Sequence, residues 1–310
     1  MTRVFGRRIE VTFTNPVNGD QIIPDARHLN IGFTVERNLD VEASTAEITI
    51  FNLSQDTQNK LSRMGRPLRR DANTGELIPS AEPPWTVELA AGYFDPRATG
   101  REPGEFGTNT IFKGNVRRVQ HRREPPLLAT DIEADDGGDA ATKFVTRHFA
   151  QGTSVGTVFK WLQEQSTLGA GNVTRITQIK TDKGIPDRLK NGMTIRGYAM
   201  EELNDLARSR GAIISSQGGE LIVLKPGEAL PNVPTTKISA NTGLIGYPYE
   251  DAEGTVVLNH KMLPNVFPGS PIEIESDFVN LTIVVERAVY SGSLFGDDFN
   301  IEVEGRQQVA

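Results

Sequence analysis

Over long stretches of this sequence apolar residues fall at every second position, a period that fits a strand with one buried face and does not fit a helix. Leu29, Ile31, Phe33 and Val35 alternate with Asn30, Gly32, Thr34 and Glu36. Ala46, Ile48 and Ile50 alternate with Glu47 and Thr49. The longest stripe is Trp85, Val87, Leu89, Ala91 and Tyr93, spaced by Thr86, Glu88, Ala90 and Gly92. Further strands are expected at 128–134, 271–275, 281–290 and 299–304. A wet face on each strand calls for antiparallel pairing, so most of the chain is expected to be antiparallel sheet. The composition agrees: 30 Gly and 18 Pro supply turns, and 37% apolar residues is low for one large buried core.

Three segments switch to helical spacing. Ser54 is placed to cap a short helix running to Met64 and ending at Gly65. Val155, Val158, Phe159 and Leu162 stand at i, i+3, i+4 and i+7, behind a cap at Thr153 or Ser154. Met200, Leu203, Leu206 and Ala207 repeat that pattern, with Gly211 as the stop. A hairpin is expected next, with strands 212–215 and 220–224 around Gln217-Gly218-Gly219. The stretch from about Gly152 to Pro234 is therefore mixed α/β between two all-β regions.

Two Pro/Gly-rich loops are long enough to be partner contacts, residues 66–84 and 95–110. The first carries Arg66, Arg69 and Arg70. A weak internal repeat links the two β regions. At an offset of 169 residues Val116 matches Val285, Arg118 matches Arg287, and Ile132-Glu133-Ala134 matches Ile301-Glu302-Val303. The expected domains are 1–134, an α/β insertion at 135–234, and 235–310.

Charge and composition exclude several functions. The 33 basic and 40 acidic side chains leave a net charge of −7, the wrong sign for wrapping nucleic acid. The chain has no cysteine, which removes disulfides, thiol catalysis and thiolate metal sites. No run reaches the ~18 apolar residues of a membrane span, and Met1–Glu10 does not read as a signal peptide. A soluble protein made in the cytoplasm is expected. The four histidines, His28, His121, His148 and His260, lack the spacing of a helical zinc site. Gly169-Ala170-Gly171 starts a dinucleotide fingerprint that fails at Thr174, and no phosphate loop occurs. No cofactor and no metal are expected.

Gly152-Thr153-Ser154-Val155-Gly156 fits the nucleophile-elbow pattern of serine hydrolases. The charged segment before it is a poor central strand, and helix capping is the commoner use of such a serine. Asp131, Glu133, Asp135 and Asp136 lack the glycine and the final glutamate of a calcium loop. Glu201, Glu202 and Asp205 sit in the first turns of a helix, where negative charge suits the dipole. The densest charge feature is Arg117-Arg118-Val119-Gln120-His121-Arg122-Arg123. Simple alternation puts Arg118, Gln120 and Arg122 on one face and Arg117, Val119, His121 and Arg123 on the other. Such a strand either blunts an exposed edge or meets an acidic partner. Arg66, Arg69, Arg70, Arg117, Arg118, Arg122 and Arg123 are the candidate partner contacts.

Several of these segments together resemble a known family. Phe33-Thr34-Val35-Glu36-Arg37, followed by Ser44 to Ser54 (STAEITIFNLS), resembles the N-terminal barrel of phage tail baseplate hub proteins. Thr242-Gly243-Leu244-Ile245-Gly246-Tyr247-Pro248 resembles the start of that family's second barrel. Val257-Leu258-Asn259, Met262-Leu263 and residues 268–274 resemble its following strands, and the helix at Thr153 with 194–224 resembles its α/β insertion. The resemblance implies a mainly β fold of two tail-tube-like antiparallel β-barrels with a small α/β insertion between them. It implies a homotrimer whose six barrels adapt a six-fold tail tube to a three-fold spike, in the virion baseplate, with DNA only in transit through the channel. Partners would be the tail tube protein, a spike protein and baseplate wedge or tape-measure proteins. The sequence ends at Ala310 without a needle or lysozyme domain, so a separate spike is expected. The alternatives are a carbohydrate- or partner-binding tail module, which calls for exposed aromatic clusters, and a serine hydrolase using Ser154.

Overall fold

The alternating segments are strands, and in a computed structural model thirteen of the strands belong to one sheet. Residues 6–25, 28–62, 64, 68–70, 77–79, 83–93, 109–137, 143–179 and 187–308 are described. The first β region holds β1 (Arg7–Thr14), β2 (Gln21–Ile22), β3 (Ile31–Asn38), β4 (Ser44–Phe51), helix α1 (Gln55–Leu61), β5 (Leu68–Arg70), β6 (Leu77–Pro79), β7 (Thr86–Tyr93), β8 (Asn109–Glu124) and β9 (Leu127–Asp136). The α/β region holds β10 (Phe144–Phe149), α2 (Val155–Ser166), β11 (Met193–Tyr198), α3 (Ala199–Arg208), β12 (Ile213–Gln217) and β13 (Glu220–Leu224). The last region holds β14 (Thr236–Ser239), β15 (Leu244–Glu250), β16 (Thr255–Lys261), β17 (Pro271–Glu275), β18 (Asn280–Ser293) and β19 (Phe299–Gln307).

The sheet runs β15-β16-β19-β18-β3-β4-β9-β8-β7-β1-β2, with β17 on β18 and β14 on β17. All pairs in it are antiparallel except β14 with β17, which is parallel, in line with the expectation that most of the sheet is antiparallel. The two β regions are continuous, because β3 pairs with β4 on one side and with β18 on the other. The inward residues of both, from Ile9, Val35 and Ile48 to Leu258, Ile274 and Ile301, form a single apolar cluster. The expected α/β unit has its own core, in which Phe159, Leu162, Leu203 and Ile214 are buried together.

The internal repeat is real in the hydrogen-bond ladder, with one correction to its register. In the first hairpin Val116 faces Ala134 and Arg118 faces Glu133, with Arg117 as the extra residue of a bulge. In the second, Val285 faces Gly305 and Arg287 faces Glu304, with Glu286 as the extra residue. The offset of 169 thus holds for the leading strands. The returning strands are displaced by two residues more, so Ile132, Glu133 and Ala134 correspond to Val303, Glu304 and Gly305. A turn longer by two residues accounts for the slip, and because two is the strand period the buried face is preserved. The neighbours repeat as well: β7 and β9 flank β8 as β17 and β19 flank β18, and β4 lies on β9 as β16 lies on β19.

The bulge also corrects the face of Arg117. One extra residue in the ladder moves it off the Val119 face and onto the outer face beside Arg118, facing Asp135. The stretch 66–84, expected to be a loop, contains a small ladder with Arg69 opposite Ile78 and Arg70 opposite Leu77. Most of the loop 95–110 lies outside the described residues. Helix α1 ends at Leu61, short of Met64. Gly218 and Gly219, with φ of +61° and +81°, make the two-residue turn of the β12–β13 hairpin.

Candidate functional site

The basic stretch of β8 lies against the acidic stretch of β9, and the pairing of the two strands sets each contact. Arg117 is bonded to Asp135 through two guanidinium nitrogens, both side chains being only 19% exposed. Arg118 reaches Glu133 at 3.3 Å and donates to Gln120 Oε1 at 2.6 Å. Arg122 donates to Asp131, which also accepts from Thr49 Oγ1 at 2.8 Å. The Arg122 hydrogen bond, reinforced by Thr49, holds the Asp131 carboxyl below the usual carboxylate range. Arg123 is exposed opposite Leu128. His121 sits between Ser62 Oγ at 2.7 Å and Thr130 Oγ1 at 3.0 Å. The first partner of the arginines is therefore the neighbouring strand, in a cross-strand charge ladder. Arg66 and the side chains of Arg69 and Arg70 lie outside the described residues.

The same surface recurs in the second hairpin. Arg287 binds Glu304 at 2.6 Å, as Arg118 binds Glu133, and it also donates to Glu36 of β3 at 2.7 Å. That second bond crosses the seam between the two β regions.

Sequence reasoning placed no site on β15, yet this strand has the most exposed apolar edge of the described chain. Ile245, Tyr247 and Tyr249 are 47%, 65% and 59% exposed, and Tyr247 packs edge-on against exposed Phe278 at 4.9 Å. Only β16 pairs with β15 among the described residues. The available signal was the spacing of Ile245, Tyr247 and Tyr249, apolar at alternate positions on a segment interrupted by Gly246 and Pro248.

Ser154 is a helix cap. Its oxygen accepts from Thr157 N at 3.1 Å and lies 2.7 Å from Thr157 Oγ1, with φ and ψ of −72° and 143°, an unstrained extended backbone. Asp136, the last residue of the acidic stretch, is buried and accepts from Gly218 N at 2.6 Å and Gly219 N at 2.9 Å. Burial raises its carboxyl above the usual value, against the lowering effect of those two bonds. Asp136 thus fastens the β12–β13 turn to the sheet, beside an open cleft of about 240 Å³ lined by Lys113, Asn115 and Thr167. Arg37 adds to this junction, donating to Gln217 Oε1 at 3.2 Å and stacking over Phe267. No group of three His, Cys, Asp or Glu arranged to hold a metal occurs among the described residues, and no helix there is long and apolar enough to cross a membrane.

Comparison with solved structures returns tail proteins. The chain is similar to the tail protein of Neisseria meningitidis MC58, with TM-score 0.58 at 10% identity over 98% of this chain and 97% of that one. It is equally similar to the 43 kDa tail protein of prophage MuSo2 from Shewanella oneidensis, with TM-score 0.58 at 8% identity over 97% and 98%. A chain of the Francisella PdpA–VgrG complex, lidded form, aligns with TM-score 0.50 at 9% identity, over 99% of this chain and 53% of that one. At such identities the likeness concerns the fold. No curated protein matches by sequence. The family model described as baseplate hub gp41 matches residues 8–305. With nearly its whole length inside that match, the chain belongs to the baseplate hub gp41 family and is a structural component of a phage tail baseplate.

Proposed function

We propose that three copies of this chain form a ring adaptor between the six-fold tail tube and the three-fold central spike, lining the channel through which DNA passes. Residues 1–134 and 235–310 act as two tube-type units, with 135–234 as the α/β insertion. The observation that carries the reading is the duplicated hairpin: one chain offers two equivalent units side by side, so three chains offer six. The tail tube protein, a separate spike protein and wedge or tape-measure proteins are the expected neighbours. The net charge of −7 suits a conduit to which DNA does not stick. Nothing in this role needs turnover. Light scattering after size exclusion tests it: a mass of about 102 kDa, three times the 34.0 kDa chain, supports the ring. A chain that stays monomeric at every concentration overturns self-assembly, and an electron-microscopy map with a basic lumen overturns the channel assignment.

The carbohydrate-binding reading has one observation on its side, the exposed Tyr247–Phe278 pair. It requires saturable binding of a host polysaccharide that Tyr247→Ala abolishes.

A further inference from the structure

Within the chain, the leading strand of the second hairpin uses one edge twice. Residues 280–284 of β18 pair with β17, and residues 287–293 of the same strand pair with β3, from Arg287 opposite Asn38 to Ser293 opposite Gly32. The first hairpin repeats only half of this. Residues 109–115 of β8 pair with β7, and residues 118–124 have no strand on that edge among the described residues.

The strand equivalent to β3 is β15. It borders β16 as β3 borders β4, with a two-residue bulge between Ile245 and Tyr249, and its outer edge is likewise unpaired among the described residues. One chain therefore presents both halves of a joint that it already makes once internally, one at the β15 end of the sheet and one on the part of β8 that β7 leaves uncovered.

We propose that the outer edge of β15 pairs antiparallel with residues 118–124 of β8 in a second copy of this chain, in the register by which β3 pairs with β18. Carrying the β3–β18 register through the repeat sets Arg122 opposite Tyr249, His121 opposite Glu250 and Gln120 opposite Asp251. Charge agrees with this placement. At the internal joint Arg287 donates to Glu36, and the corresponding residues across the new joint are Arg118 and Asp251. The exposed run Glu250-Asp251-Ala252-Glu253 thereby meets the exposed Arg118 and Arg122. Exposure agrees as well: an edge strand carrying Ile245, Tyr247 and Tyr249 in the open invites strand addition, and a second chain covers it. The contact is head-to-tail, so each copy keeps one of each edge for its neighbours, and a rotation that closes makes the chains a ring. That closure, at three copies, rests on the ring reading above.

The cysteine-free chain makes a direct test. The double variant Arg122→Cys with Tyr249→Cys, both exposed positions, is oxidised at micromolar concentration and run without reductant. The control, Arg122→Cys with Glu250→Cys, moves one thiol to the opposite face of β15. Light scattering of the reduced proteins runs in parallel, and circular dichroism checks the fold. Disulfide-linked dimers and trimers in the first variant and their loss in the control are expected. A trimer by light scattering with no cross-link in either variant overturns this joint and leaves the ring reading standing. Cross-linking in proper register within an assembly other than a trimer supports the joint and overturns the three-copy ring. A folded monomer without cross-links overturns both.

Discussion

Arg117 and Glu286 occupy the same bulge in the two copies of the hairpin, and each holds a partner of opposite charge, Asp135 and Arg306, at equivalent positions on the returning strand. The bond is retained with its charges reversed, so the geometry of the bulge, rather than the sign at either end, is what the two hairpins share. Arg117→Glu is expected to lower stability by about 1–3 kcal/mol, because it places a second carboxylate beside the half-buried Asp135. Arg117→Glu with Asp135→Arg should recover most of that loss. Urea denaturation of the four proteins in the cycle measures it, and independent losses that simply add would refute the shared geometry.

Gly305 lies opposite Val285 at the second bulge, and a Cβ there would stand 2.4 Å from the Val284 carbonyl oxygen. Backbone cannot yield as a flexible side chain does. Gly305→Ala should cost about 1–3 kcal/mol. A thermal melt unchanged from the parent would contradict the close approach.

Ser154→Ala removes the oxygen that accepts from Thr157 N at the start of α2. The expected loss is about 1 kcal/mol, with the oligomeric mass unchanged. A fluorophosphonate probe should label parent and variant alike, at background. Labelling that depends on Ser154 would revive the hydrolase reading.

Burial holds the His260 imidazole below its ordinary 6.5, while its Nδ1 donates to the Lys261 carbonyl at 2.7 Å. The folded chain therefore binds fewer protons here than the unfolded chain as pH falls through about 6.5. The contribution of His260 is fully present above that pH and is lost progressively below it, down to the depressed folded value. Melting temperatures of the parent and His260→Gln, compared between pH 7.5 and pH 5.5, should show a smaller acid-induced drop in the variant. Parallel drops would assign the acid sensitivity to other groups.

Tyr249→Lys puts a charge on the exposed edge of β15, a common way to block strand addition. The chain should fold as before, since Tyr249 is 59% exposed, and its mass in light scattering should fall towards the monomer.

The alternation that was readable in the sequence is that of strands with a continuous apolar face. β3, β4, β7, β9 and β17 stand within two or three residues of their expected limits, because Ile31, Ile48, Leu89, Ile132 and Ile274 all point into the core. The caps at Ser54 and Ser154 were legible for a local reason, a hydroxyl three residues before a free N–H. β1 carries the same alternation in Ile9, Val11 and Phe13, but among charges and in few residues. The bulge at Arg117 had no signature, since a bulge belongs to two strands and the alternation of one continues through it. β10 showed little pattern because among the described residues it pairs only with β11, and Phe144 and His148 face solvent. The spacing of Ile245, Tyr247 and Tyr249 marked β15 as a strand, but that its outer edge stands open among the described residues depends on which strand lies beside which, a property of topology.

The seven residue pairs between β3 and β18 have a mechanical consequence. A ladder loaded along its strands resists in shear, with its bonds sharing the force, and it contains no hinge about which one unit could swing past the other. The duplicated halves of each chain therefore move as one rigid segment. In the ring proposed above, compliance therefore belongs to the joints between chains and to the α/β insertion, and not to the seam between the two β regions.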